Sequence, residues 1–329
     1  MATSESKTIP SSEGHQPENV QPGGGWCQAL ELAWGRWRRF WLRTFRPGYV
    51  RRMTGLRQGE CPGCKHHIID SRDLKYCRNV CGYWFRPQDD AFLWRNHIGL
   101  ARYGLAEVVI FSLLLGMAAI LFAAAGILFW GGLWLPVAAI FLVWLEIIYF
   151  FRDPERTIPD DPTALVSPAD GTVTNVEEVS EADFPAGRAL RISIFLSIFN
   201  VHVNRSPRSG KVVKVRYFPG AFLDARNPDS AVRNEQLWID LEEPSGRPLR
   251  VKQISGAIAR RIVCWLKIGD QVWSGERVGM IKLGSRTDLL IPPGPGIEIL
   301  VKVGDKVRGG STVLLRLSES SPAQSAQSV

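Results

Sequence analysis

The sequence predicts a mainly β body that follows a two-helix membrane hairpin, with a small cysteine-bearing module ahead of the hairpin. Three observations carry that expectation. Between Gly104 and Phe151 only Glu107 and Glu146 are charged, and a soluble protein has little use for so long an apolar block. Beyond Arg152, alternating runs such as Leu190-Arg191-Ile192-Ser193-Ile194-Phe195 and Gly210-Lys211-Val212-Val213-Lys214-Val215 are separated by Pro and Gly turns, the period-2 signature of strands. Four of the six cysteines crowd between 61 and 81, which suits a metal site in a reducing compartment better than a disulfide scaffold across 329 residues. The overall 45% hydrophobic and 22% charged residues exclude disorder throughout.

Taken in order, residues 1–25 are rich in Ser, Gly, Pro, Gln and Glu without an apolar period. They predict a disordered tail, and no apolar stretch makes them a signal peptide. Residues 318–329 read the same way. Residues 26–58 interleave Trp26, Trp34, Trp37, Trp41 and Phe45 with Arg36, Arg38, Arg39, Arg43, Arg46, Arg51, Arg52 and Arg57. Such a mixture stacks on nucleic acid, and it equally suits a bilayer surface, where Trp sits among headgroups and Arg meets anionic lipid. A membrane span follows and no nucleic-acid module does, so a membrane surface is expected and nucleic acid is not.

The hairpin, 103–151, is long enough for two crossings at ~20 residues each. Its break is Trp130-Gly131-Gly132-Leu133-Trp134-Leu135-Pro136, where the glycines permit a tight turn and Pro136 can begin a helix. Arg95 and Arg102 precede it, Arg152 and Arg156 follow it, and the turn is uncharged. By the positive-inside rule both ends face the cytoplasm, placing the body on the cytoplasmic side of the inner membrane. A buried core hairpin, or one dipping into a single leaflet, stays open as an alternative.

Within residues 59–90, Cys61-Pro-Gly-Cys64 is followed after twelve residues by Cys77-Arg-Asn-Val-Cys81. Two short-range thiolate pairs suit tetrahedral Zn²⁺, and four filled positions make the site closed and structural. Gly63 and Gly82 fit the knuckle turns. The segment resembles a zinc ribbon, although its second knuckle holds three residues between the cysteines where two are usual. His66 and His67 read as solvent-exposed, and Cys27 and Cys264 as plain residues.

The body, 152–317, contains an internal echo. Gly269-Asp270-Gln271-Val272-Trp273-Ser274-Gly275 recurs 35 residues later as Gly304-Asp305-Lys306-Val307-Arg308-Gly309-Gly310. These turns resemble those of biotinyl and lipoyl carriers, which implies a barrel-sandwich. The one histidine after Arg152 is His202; on a strand it would share a face with Asn200 and Asn204. Alone it reads as a satisfied surface residue, and Ser167 to Gly171 and Leu283 to Asp288 read alone as turns.

Together the motifs are specific. Tyr149-Phe150-Phe151-Arg152-Asp153-Pro154-Glu155-Arg156, Ser167 to Gly171, Phe199 to Arg205, Ile258 to Ile262 and Gly279-Met280-Ile281-Lys282-Leu283-Gly284-Ser285-Arg286 occur in one order. In that order they resemble the short, bacterial-type branch of the phosphatidylserine decarboxylase proenzymes, as do Gly220, Phe222, Asn234 and Glu235. The resemblance runs from about Tyr149 to Leu317. Three positions depart from it: Leu283 stands for a frequent Phe, Asp229 for a Lys, and Phe199 for a second histidine of the longer enzymes.

The resemblance implies self-cleavage between Gly284 and Ser285. Ser285 Oγ would attack the Gly284 carbonyl with His202 as proton acceptor, and Asp170 would fix the imidazole and stabilise its cation. Elimination and hydrolysis would then turn Ser285 into a pyruvoyl group, the cofactor that forms a Schiff base with phosphatidylserine and releases CO₂. Arg205, Arg260, Arg261 and Arg286 are the candidates for the lipid phosphate or carboxylate. Implied partners are phosphatidylserine in the bilayer and the chain's own two fragments; a homo-oligomer is compatible. Two other readings remain: a membrane-tethered lipoyl-like carrier or adaptor, and a decarboxylase of an archaetidylserine-like lipid. A carrier would stay whole, whereas the enzyme would release a 45-residue fragment from Ser285 to Val329.

Overall fold

The computed structural model describes residues 14–227, 229–257, 261–282 and 284–318. Arg260, Leu283 and the terminal stretch 319–329 lie outside them. The chain divides into a helical unit, residues 18–155 with 198–202, and a β unit built from 156–197 and 203 onward together with the residues up to Pro17.

The helical unit holds α1 (Trp26–Phe45), α2 (Pro47–Leu56), a single turn α3 (Ser71–Leu74), α4 (Leu105–Leu128) and α5 (Trp134–Phe150). Pro47 starts α2 where its missing N–H costs nothing. At 1.5 Å per residue α4 and α5 are ~36 and ~26 Å long, joined by a 3₁₀ turn at Gly131–Leu133. Leu113, Ile120, Ile127, Leu135 and Leu142 stand exposed along them, so the described residues do not bury this hairpin as a core. Trp144 Nε1 donates to Ser112 Oγ at 2.8 Å, joining the two helices inside their apolar length. At the hairpin's base Ala101 N–H donates to the Phe151 carbonyl and Asp153 N–H to that of Gly99.

The β unit contains β1 (Ala164–Val166), β2 (Gly171–Ser180), β3 (Arg188–Leu196), β4 (Val203–Arg205), β5 (Gly210–Phe218), α6 (Ser230–Arg233), β6 (Gln236–Glu242), β7 (Pro248–Ser255), β8 (Arg261–Cys264), β9 (Gln271–Val272), β10 (Arg277–Lys282), β11 (Ser285–Ile291), β12 (Ile297–Ile299), β13 (Lys306–Val307) and β14 (Val313–Leu317). Eight of the strands form one sheet in the order β13-β2-β3-β11-β7-β6-β5-β9; two three-stranded sheets run β1-β14-β12 and β4-β10-β8. One apolar core, including Leu165, Ile192, Ile194, Leu237, Ile239, Ile262, Ile281, Leu289 and Leu315, joins all three. The alternation read in β3 and β5 puts their inward residues in that core.

The echo is structural. Gly269 and Gly304 both take φ in the left-handed range, 93° and 98°, as do Gly275 and Gly310 at 72° and 77°. Each Asp accepts the backbone N–H three residues before it at 3.0 Å, Asp270 from Lys267 and Asp305 from Lys302. Gly269 N–H donates to the Val212 carbonyl as Gly304 N–H does to that of Val173. The repeat also extends upstream into a stretch that sequence reading left unmatched. Ser206 and Ser167, each before a proline, take Gly275 N–H and Gly310 N–H on their carbonyls at 2.8 Å. Each of these hydroxyls also donates two residues on, to the Arg208 and Ala169 carbonyls. Ser209 thereby occupies in one half the position of Asp170 in the other.

Residues 14–25 of the stretch read as a tail are among the described ones. His15 exchanges two backbone hydrogen bonds with Tyr217, at 3.0 and 2.8 Å, and Val20 is buried.

Candidate active site

β11 is buried at all seven positions and begins at Ser285. There Ser285 lies between Leu196 of β3 and Ser255 of β7. The residue before it, Gly284, has φ +55°, where an L side chain is strained. Gly256 lies against this peptide: a Cβ on it would be 2.2 Å from the Gly284 carbonyl oxygen. Asn234 braces the same spot, donating from Nδ2 to the Ser255 carbonyl at 2.7 Å and to that of Leu223 at 2.8 Å. The Ser285 hydroxyl itself is buried and has no hydrogen-bond partner among the described residues. A buried orphan hydroxyl costs about 1–3 kcal/mol, so its persistence calls for a purpose.

Around β11 the polar side chains bond to one another, although Gln253 Oε1 and Glu235 Oε2 are buried with no hydrogen-bond partner among the described residues. Asn204 donates to Thr287 Oγ1 at 3.0 Å and accepts from Gln253 Nε2 at 2.8 Å, tying β4 and β7 to β11. Arg286 is committed to Asp288, at 2.7 and 3.1 Å, and to Ser193 Oγ at 2.8 Å. Buried Arg205 donates to the Gly275 carbonyl, while Arg261 is half-buried at the first position of β8. Glu235 accepts from Tyr217 Oη at 2.7 Å, and burial holds its carboxyl above the ordinary range.

Asp170 ends the turn before β2. Both its oxygens accept from Arg156 Nη2, at 2.9 and 2.8 Å, and Oδ1 also accepts from Gly309 N–H at 2.8 Å. The β unit thus pairs Asp170 with an arginine that the sequence offered as a flanking charge and as the end of the Tyr149–Arg156 motif. Ser209, its counterpart in the repeat, accepts from Ser274 N–H at 2.9 Å and carries no charge.

His202 belongs to the helical unit. β4 begins one residue after it because the chain turns at 198–200; Asn200 therefore meets it through its main chain and not as a strand neighbour on one face. Its Nδ1 is 2.9 Å from the Asn200 carbonyl. A carbonyl only accepts, so Nδ1 carries the proton and Nε2 presents a lone pair. Nε2 is buried with no hydrogen-bond partner among the described residues. The ring packs on Phe150, the last residue of α5, at 4.4 Å. Burial, with Arg152 adding to it, pushes the imidazole down to about 4 against the opposing Asn200 bond.

Also in the helical unit, the sulfurs of Cys61, Cys64 and Cys81 lie within 4.8 Å of one another, and Cys77 hydrogen-bonds to Cys81. Receiving that bond pushes the Cys81 thiol down to about 5, while donating it pushes the Cys77 thiol up. The Cys64 N–H to Cys61 carbonyl bond closes the first knuckle. A Cβ on Gly82 would overlap the Glu60 carbonyl. His66 and His67 are not part of this cluster.

Sequence reading named Ser285, His202, Asp170 and the four cysteines. For Gly256, Arg156 and the bracing side chains of Asn204, Thr287 and Gln253 the sequence carried no sign of what each would meet, since each partner lies well along the chain.

The family profile described as phosphatidylserine decarboxylase matches residues 145–315. A phosphatidylserine decarboxylase proenzyme from Rhodopirellula baltica is 45% identical over 75% of this chain and 100% of its own length. Proenzymes of the same name from Desulfotalea psychrophila and Pelobacter propionicus are 52% and 49% identical, over 51% and 54% of this chain and 77% and 79% of theirs.

The buried imidazole gives a signed pH dependence. An unfolded histidine titrates near 6.5, so as pH falls from about 6.5 to 4 the unfolded chain binds a proton that the folded chain refuses. Stability is expected to drop over that window by about 3 kcal/mol relative to His202→Asn. Urea midpoints of both chains across pH 4–8 measure it. A difference that stays constant over the window would mean the ring is not desolvated.

Proposed function

The chain belongs to the phosphatidylserine decarboxylase family, and from that premise we propose that its conversion of phosphatidylserine to phosphatidylethanolamine and CO₂ depends on a pyruvoyl group made from its own Ser285. The observation that carries this reading is the Ser285 hydroxyl, buried and unpartnered beside a left-handed glycine peptide. Oγ attacks the Gly284 carbonyl, the C–N bond breaks, and the nitrogen of Ser285 takes up a proton as an amine. The resulting ester loses the Ser285 Cα proton and expels the Gly284 carboxylate. Water then replaces the nitrogen, which leaves as ammonia. Gly284 admits the turn that attack requires, and Gly256 leaves its carbonyl room.

His202 takes the hydroxyl proton on Nε2, the nitrogen that the Asn200 bond leaves bare. Asp170 stabilises the imidazolium that results. The pyruvoyl carbonyl, once present, supplies an electron sink for the pair left by the departing carboxylate. His202 then returns a proton to the product carbon. Arg205, Arg260, Arg261 and Arg286 are the candidates for the lipid phosphate or carboxylate. The hairpin flanks, Arg95 and Arg102 before and Arg152 after, favour the cytoplasmic side for the body. Cys61, Cys64 and Cys81 lie close enough to share one ion, and with Cys77 hydrogen-bonded to Cys81 the four sulfurs would hold a structural Zn²⁺.

Denaturing electrophoresis with intact mass tests the first claim. Wild type should yield a 45-residue fragment from Ser285 whose N-terminus is blocked and carries a carbonyl, and Ser285→Ala should stay whole and release no CO₂. An unmodified serine terminus would mean ordinary proteolysis.

Gly256→Ala should slow the cut by about a hundredfold, the usual cost of a misplaced reacting group. Gly210→Ala is the control, because its Cβ would also meet main chain, at 2.8 Å from the Glu242 oxygen, but away from Ser285. Equal cleavage in both variants would remove Gly256 from the mechanism.

For the metal, elemental analysis should find one zinc per chain in wild type and none in Cys61→Ser. Full zinc in that variant would place the ion elsewhere.

A further inference from the structure

α1 is an amphipathic helix packed with its apolar face outward. Trp26, Leu30, Trp34, Trp37, Trp41 and Phe45 recur at steps of three and four, one stripe covering about 100° of the helix. All six are exposed, Trp34 by 61% and Phe45 by 62%. The opposite face, Gln28, Gly35, Arg38 and Leu42, is the buried one.

The cysteine module holds that inverted arrangement. Arg38 pairs with Asp73, as does Arg39 at 2.9 Å, and Asp73 closes the capping box of α3 four residues before Cys77. Lys75 meets Glu31 at 3.1 Å, and Tyr76 Oη donates to the Glu31 carbonyl. Gly35 lies against Tyr76, whose ring a Cβ there would approach to 3.2 Å. The polar contacts that water would satisfy on a free helix are therefore made by the module, and the aromatic stripe is left with none.

Two features identify what covers the stripe. Trp26 meets Phe111 of α4 edge-on, with centroids 6.0 Å apart, so the stripe is continuous with the exposed apolar surface of the hairpin. Arg36, Arg43, Arg46, Arg51 and Arg52 stand exposed beside it, and the only acid from 26 to 57 is Glu31, paired inward. Aromatic rings bordered by arginine match the headgroup layer of an anionic leaflet.

We propose that α1 is an interfacial anchor lying in the headgroup layer of an anionic bilayer, and that the cysteine module is the bracket that keeps its aromatic face toward the lipid. The inference rests on the membrane reading of α4 and α5 and not on the chemistry at Ser285. The pairs of Asp73 with Arg38 and Arg39 hold α1 in this orientation, and a metal on the cysteines would fix the module that carries Asp73.

The test uses the full chain with a benzophenone amino acid at position 34, 37 or 41, reconstituted in phosphatidylcholine vesicles with or without phosphatidylglycerol. Irradiation should give lipid adducts at all three positions. Adduct yield should fall about fivefold or more when phosphatidylglycerol is omitted. It should fall likewise in Cys61→Ser, while alkali-resistant membrane insertion through the hairpin persists. Chain-to-chain adducts would assign the stripe to a second copy and overturn the proposal, as would yields indifferent to anionic lipid. Lipid adducts undiminished in Cys61→Ser would overturn the bracket. Ser285→Ala, carrying the same probe, separates this result from self-cleavage, because its adducts should match those of the cleavable chain.

Discussion

The Gly284–Ser285 peptide is where the β unit concentrates its constraints. Ser285 opens a strand with no exposed residue, between two neighbouring strands that fix its backbone on both edges. Gly284 takes a left-handed turn into it, and Gly256 leaves no side chain in the way of the Gly284 carbonyl. A sheet centre is among the stiffest places in a protein, so whatever geometry is set there persists. The hydroxyl is thus buried, placed and left without a partner, while every charged neighbour on β11 has its own. That asymmetry suits a reactive centre better than a stabilising one.

The duplicated turns supply the frame for it. Two Gly-Asp turns and two Ser-Pro turns repeat the same hydrogen bonds, pinning β13 to β2 at one end of the large sheet and β9 to β5 at the other. The copies differ where chemistry is expected. Asp170 carries a carboxylate paired to Arg156, whereas Ser209 in the same position makes only a neutral bond. A structural turn tolerates either residue, so the charge at 170 is not explained by the turn.

Desolvation sets the state of the one histidine after Arg152. His202 is kept neutral by burial against Phe150 at the end of an apolar helix, and its proton is assigned to Nδ1 by a main-chain carbonyl. An imidazole whose Nδ1 proton is held by a main-chain carbonyl needs no carboxylate to select its tautomer. The helical unit, for its part, spends its ionic contacts on turning α1 outward, with Asp73 gathering Arg38 and Arg39.

Much of this was legible in order along the chain. Hydropathy marked α4 and α5, alternation marked β3 and β5, and the cysteine spacing pointed to a cluster, of which Cys61, Cys64 and Cys81 lie together, because each is a short-range pattern. The ordered motifs around Asp170, His202 and Ser285 identified the family for the same reason. What lay beyond the sequence was pairwise and long-range: Gly256 against Gly284, Arg156 on Asp170, Asn204 between Gln253 and Thr287, and the outward roll of α1. Periodicity tells which face of a helix or strand is apolar, but not what will meet it. Only tertiary packing decides that, since it brings together residues whose separation along the chain carries no signal of their contact.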